Sequence, residues 1–147
     1  MKKFLIMTFV SVAMLAAVSC SKDDEKETPS LVGTEWECNE TISTTVMSIP
    51  VSGSMTADLV FTTETSCNFS GNVNVAGLIE RDIPAGERPY SFDGKKVRFA
   101  VPELSSLLGS DELVLDYNDN LRTLSYALPS SVASMLGKDA IVFHRTK

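Results

Sequence analysis

Apolar side chains recur at every second position through four separate stretches of this chain, and that spacing constrains the fold more than any other feature. Cys67, Phe69, Val73 and Val75 share one parity, while Asn68, Ser70, Asn72 and Asn74 share the other. Val97, Phe99 and Val101 alternate with Lys96, Arg98 and Ala100. Leu113, Leu115 and Tyr117 alternate with Glu112, Val114 and Asp116, and Leu124, Tyr126 and Leu128 with Thr123, Ser125 and Ala127. Successive side chains of a strand point to opposite faces, so this pattern buries one face of a sheet and wets the other. No helical stretch is long enough for the crossover that parallel strands need, so neighbouring strands are expected to be antiparallel.

Turn residues separate the runs. Asp93-Gly94 lies between Tyr90–Phe92 and Val97–Val101 and is a strong hairpin signal; Asn118-Asp119-Asn120 tolerates the positive φ of a tight turn. Ser52-Gly53-Ser54 is expected to reverse the chain after a long first strand. The count is about eight strands, at 34–47, 55–62, 66–75, 88–93, 96–101, 112–118, 121–128 and 140–146. Residues 102–108 and 129–136 each begin with Pro and end before Gly, the marks of a short helical turn. Residues 76–87, with Gly77, Pro84 and Gly86, read as a long loop. The expected fold is an all-β, eight-stranded antiparallel up-and-down barrel, with a β-sandwich as the alternative.

The N-terminus is an address rather than part of this fold. Met1-Lys2-Lys3 is basic, residues 4–18 are apolar apart from Thr8 and Ser11, and Ala17-Val18-Ser19 supplies small residues before Cys20. This is the layout of a secretory signal, with an apolar run of about 15 residues against the roughly 20 of a spanning helix. Residues 1–19 are therefore expected to be signal, 20–29 a charged tether, and 30–147 the globular body.

Ala17-Val18-Ser19-Cys20 resembles the lipobox of bacterial lipoproteins. The resemblance implies cleavage before Cys20, acylation of that residue and attachment to a membrane. Two or three acyl chains on one residue hold where a single chain is marginal. Lys22-Asp23-Asp24 resembles the surface-export signal of lipoproteins from Bacteroidetes-type bacteria, which implies the outer membrane and a body facing outward. Within the body, Leu31-Val32-Gly33-Thr34-Glu35-Trp36 resembles the opening element of lipocalin-like, or calycin-like, lipoproteins of such bacteria. Leu59-Val60-Phe61 is similar to a following strand, and Ile141-Val142-Phe143-His144-Arg145 to the closing one. The resemblance implies that Trp36 caps the barrel floor, with Arg145 stacked on or near it.

Little in the body points to catalysis. The net charge of −6 argues against a nucleic-acid partner. His144, the only histidine, falls on the outward parity, and no nucleophile elbow accompanies it. No cluster has metal-ligand spacing, and Asp111, Glu112, Asp116 and Asp119 do not fit a calcium loop. The expectation is a non-enzymatic protein without cofactor or metal. Candidate lumen or barrel-closing residues are Trp36, Glu40, Tyr90, Tyr117, Tyr126 and Arg145. Glu40 shares the inward parity of Cys38 and Ile42; a strand-end shift would return it to solvent, whereas a place in the barrel mouth would orient a ligand's polar end. The expected partner is a small apolar ligand in the lumen, or a protein or glycan at the rim. The many large inward residues favour a self-filled barrel, which gives weight to rim contacts through 76–87.

Cys38 and Cys67 both fall on inward parities. A single hairpin centred on Ser52-Gly53 would set them opposite one another and allow a disulfide. With residues 55–62 as an intervening strand they stay apart as buried thiols. The second layout is the one that fits the resemblance to lipocalin-like lipoproteins, which thus implies two buried free thiols.

Overall fold

A computed structural model describes residues 28–147. The segment expected to be signal, Cys20 and the expected charged tether up to residue 27 lie outside the described residues. Eight strands follow in order: β1 (Glu35–Val46), β2 (Ile49–Phe61), β3 (Ser66–Val75), β4 (Ile79–Phe92), β5 (Lys96–Ala100), β6 (Glu112–Asn118), β7 (Thr123–Ala127) and β8 (Ala140–Arg145). Each pairs antiparallel with the next, and β8 returns to β1 to close the barrel. One sheet closing on itself removes the sandwich alternative.

The barrel has a floor and a mouth. Turns 62–65, 93–95 and 119–122, together with both ends of the described chain, lie at the floor. The hairpin turns 47–48 and 76–78 lie at the mouth. The two longer mouth connections carry the helical turns expected from sequence. A 3-10 turn, Pro102–Leu104, leads into α1 (Ser105–Leu108) between β5 and β6, and α2 (Ser130–Leu136) lies between β7 and β8. Gly109 and Gly137 end these helices with φ of 74° and 66°, the left-handed geometry that glycine adopts most readily.

Two expectations fail locally, for related reasons. The first hairpin turns at Met47-Ser48, both at positive φ (50° and 67°), rather than at Ser52–Ser54. Gly53 sits inside β2 opposite Ile42 and Val75, where a Cβ would fall 2.2 Å from the Asn74 carbonyl oxygen. It is a close-approach glycine, not a turn glycine. The supposed loop at 76–87 is mostly the first half of β4. Register slips there, with Phe69 opposite Gly86 but Gly71 opposite Ile83, so Pro84 and Ala85 form a bulge facing the single residue Ser70. A bulge accommodates the missing proline N–H and inverts the inward parity, from Ile83 on one side to Arg88 and Tyr90 on the other.

Cys38 pairs with Ala57 on β2, and Cys67 pairs with Phe61 four positions further along the same strand. One strand therefore separates the cysteines, and the lengthwise offset adds roughly 13 Å, beyond disulfide reach. Both are buried free thiols.

Strand lengths divide the barrel into two unequal halves. β1 to β4 run 10–14 residues, and β5 to β8 only 5–7. The halves are joined mainly near the floor. β4 pairs with β5 only from Tyr90↔Phe99 to Phe92↔Val97, and β1 with β8 only at Trp36↔Arg145 and Glu37↔His144. Above these pairs the halves part along two seams, and the helical connections fill the space between them. The core splits accordingly. A large floor cluster includes Leu31, Trp36, Phe61 and Tyr90; a smaller mouth cluster joins Ile42, Met55, Val73 and Val75 to Leu128, Val132 and Leu136.

Candidate functional site

The floor is a closed apolar plug with satisfied polar atoms. Trp36 Nε1 donates to Thr34 Oγ1 (2.8 Å), whose hydroxyl donates to the Leu31 carbonyl (2.6 Å). The indole meets Tyr117 edge to face at 6.2 Å, and Tyr117 meets Phe92 in the same way at 5.3 Å. Tyr117 donates to Asp119 Oδ1 (2.7 Å). Tyr90 packs against Phe61 with 4.7 Å between centroids and donates to the Thr63 carbonyl (2.9 Å). Burial pushes its phenol up to about 12. Arg145 stands opposite Trp36 in the ladder but does not stack on it. Its Nε donates to the Lys147 carbonyl at 2.7 Å, and Tyr117 takes the place at the indole.

The mouth half is built differently. An apolar cavity of about 50 Å³ lies under the two helical connections. Phe69, Leu113, Leu115 and Phe143 line it from the strands, Leu104 and Leu108 from the first plug, and Val132 and Leu136 from α2. Tyr126 and Met55 complete two of its walls. A cavity lined by carbon holds no water without polar partners and so is suited to apolar contents. Both plugs are bonded chiefly to themselves. Leu104 N–H donates to Val101, Gly109 to Ser105, Ala133 to Pro129 and Lys138 to Ala133. Moving them costs packing and strains the Arg88–Glu103 and Glu40–Lys138 ion pairs, but breaks no rung of the sheet.

Among the described residues, an ion pair crosses each seam above the floor. Across β4 and β5, Arg88 donates to the Ala100 carbonyl (3.1 Å) and to Glu103 Oε1 (2.8 Å), with its guanidinium 5.9 Å from the centroid of the Phe69 ring. Arg88 Nε is buried without a partner among the described residues. Across the β1–β8 seam, Lys138, just beyond α2, donates to Glu40 Oε2 at 2.6 Å. Glu40 keeps the inward parity and is half-buried, so no strand-end shift returns it to solvent. Cys38, two residues before it, has its thiol pushed up to about 12, first by burial and then by the Glu40 charge.

The six sequence candidates thus fall at opposite ends. Trp36, Tyr90, Tyr117 and Arg145 belong to the floor, and Glu40 and Tyr126 to the mouth. Sequence reasoning missed Arg88, Glu103 and Lys138. Arg88 shares the readable parity of Tyr90, but nothing local marks the other two as its counterpart or that of Glu40. Among the described residues no group of three or more His, Cys, Asp and Glu side chains could hold a metal. No protein-family model, curated protein or solved structure matches the chain.

Proposed function

We propose that this protein is a non-enzymatic, membrane-tethered barrel that takes a small apolar molecule into the mouth half of its lumen. The observation that carries the reading is the carbon-lined cavity beneath two self-bonded plugs, at the end where the barrel halves part. About 50 Å³ is far below the roughly 150 Å³ that admits benzene in an engineered cavity. Filling it therefore requires the plugs to shift outward along the seams. The lipobox-like segment supplies the tether, through Cys20, to the outer membrane of a bacterium, and the Lys22-Asp23-Asp24 segment supports an outward-facing body. Thr28 and Pro29 lie against Gly94 in a floor turn, so the tether leaves from the floor and the mouth points away from it.

Native mass spectrometry of the full chain from its own membrane, followed by calorimetric titration with hexanol, tests this reading. A co-purifying apolar molecule and saturable hexanol binding, abolished by Val132→Phe, are expected. A chain that carries nothing and takes up no hexanol overturns it.

A second reading has its own observation. Met47 is 93% and Ile49 64% exposed at the tip of the first mouth hairpin, and Leu78 is exposed at the tip of the second. These apolar tips, at the end away from the tether, suit contact with a partner protein.

A further inference from the structure

We propose that the apolar ligand carries a protonated amine and that Glu40 is its counter-ion. This rests on the lumen reading above and goes beyond it by assigning the ligand a charge.

The cavity wall is carbon, so any polar end of a ligand must find its partner beside the cavity rather than in it. Glu40 is placed to be that partner. It lies on β1 between Cys38 and Ile42, both fully buried, and pairs directly with Met55, which lines the cavity. Directly paired residues of an antiparallel ladder project to the same face with their Cβ atoms about 5 Å apart. The carboxylate is thus fixed by a strand, inward, one residue from the apolar wall.

Its present partner is held less firmly. Lys138 sits in the connection between α2 and β8, and it also borders a solvent-facing hollow with Ser130, Ser134 and Asp139. A lysine on a long flexible stem can withdraw its ammonium into water beside Asp139. An ammonium-bearing ligand could therefore replace Lys138 at Glu40, and the carboxylate would stay paired throughout. A carboxylate-bearing ligand would have to take Lys138 away from Glu40. That exchange leaves an inward, half-buried carboxylate with no counter-ion and a second negative charge beside it, and it is disfavoured on both counts. A neutral ligand makes neither exchange.

The seam gives this exchange a route. The β1–β8 ladder lapses beyond Glu37↔His144, so the Glu40–Lys138 pair bridges a gap in the wall rather than a continuous sheet. Displacing Lys138 opens the same gap through which the amine end would lie.

Titration calorimetry of the full chain with hexylamine, hexanol and hexanoate tests the assignment. Hexylamine is expected to bind about tenfold or more tighter than hexanol, as one charge-assisted hydrogen bond implies, and hexanoate weakest. Glu40→Gln should remove the amine's advantage, read as the ratio of hexylamine to hexanol affinity within the same variant. Lys138→Met, which removes the competing ammonium, should tighten hexylamine relative to hexanol, and it decides the matter if Glu40→Gln does not fold. Equal binding of amine and alcohol overturns the amine assignment and leaves the lumen reading standing. Tightest binding by hexanoate overturns it in favour of Lys138 as the receptor. Failure of all three probes removes both readings.

Discussion

Arg88 and Glu103 face one another across the gap where β4 leaves β5, with 2.8 Å between guanidinium nitrogen and carboxylate oxygen. Above Tyr90↔Phe99 the two strands no longer pair, and this contact ties β4 to the first mouth plug in place of backbone hydrogen bonds.

The hydrogen bond from Arg88 holds the Glu103 carboxyl below its ordinary value near 4.5. A depressed acid stabilises the fold above its unfolded pKa and loses that contribution as pH falls through the folded one. The Glu103 side chain is 37% exposed, so solvent screening limits the pair to about 1 kcal/mol or less. Glu103→Gln should lower the urea midpoint near pH 7, and the difference from the parent should shrink as pH falls below the ordinary carboxylate range. A difference that persists unchanged in acid would show that the contribution is not ionic.

Gly53 and Gly86 make a controlled pair. Gly53→Ala drives a methyl to within 2.2 Å of the Asn74 carbonyl and should cost about 3 kcal/mol, since the clash is with backbone and nothing flexible can yield. Gly86→Ala meets its nearest atom at 3.9 Å and should change stability by about 0.5 kcal/mol or less. Denaturant melts of both variants check the contrast.

The Met47-Ser48 turn holds two residues with side chains at positive φ. Asn-Gly is the pair best suited to that geometry. Replacing Met47-Ser48 by Asn-Gly should stabilise the barrel by about 1–2 kcal/mol, read as a raised Tm. The same variant removes the most exposed apolar side chain at the mouth. Unaltered hexanol binding in it would separate the lumen from the hairpin tips.

Burial pushes the Cys38 thiol up to about 12 and the Cys67 thiol up to about 11, from an ordinary value of 9.0. Groups raised in the folded state stabilise it below their unfolded pKa, and that contribution fades as pH rises towards the folded one. Stability should therefore begin to fall above about pH 9, and Cys38→Ala with Cys67→Ala should flatten that fall. Urea midpoints measured at pH values from neutral to about 10 report it. Neither thiol should react with iodoacetamide in the folded protein near neutral pH, because each is both buried and protonated.

Much of this architecture is readable from local pattern. The alternations at 66–75, 96–101 and 112–118 correspond to β3, β5 and β6, because a side-chain repeat of two is a property of the strand itself. The proline and glycine marks at 102–109 and 129–137 correspond to the two plugs. Pro84 and Gly86 misled the reading of 76–87, since the bulge that makes room for them also breaks the alternation that would have revealed the strand. Gly53 misled in the opposite sense. A glycine needed because another backbone passes close looks, in sequence, like one needed for a turn.

Local covalent periodicity thus determined which side chains face inward, including the inward parity of Glu40 and Tyr126. Only the tertiary structure decided what those side chains meet. Lys138 reaches Glu40 across 98 positions of chain, and it does so because short strands β5 to β8 leave a gap above the floor that α2 and its connection fill. Such a meeting depends on how far two distant strands remain paired before they part. That is set by closure of the whole barrel, and no window of neighbouring residues contains it.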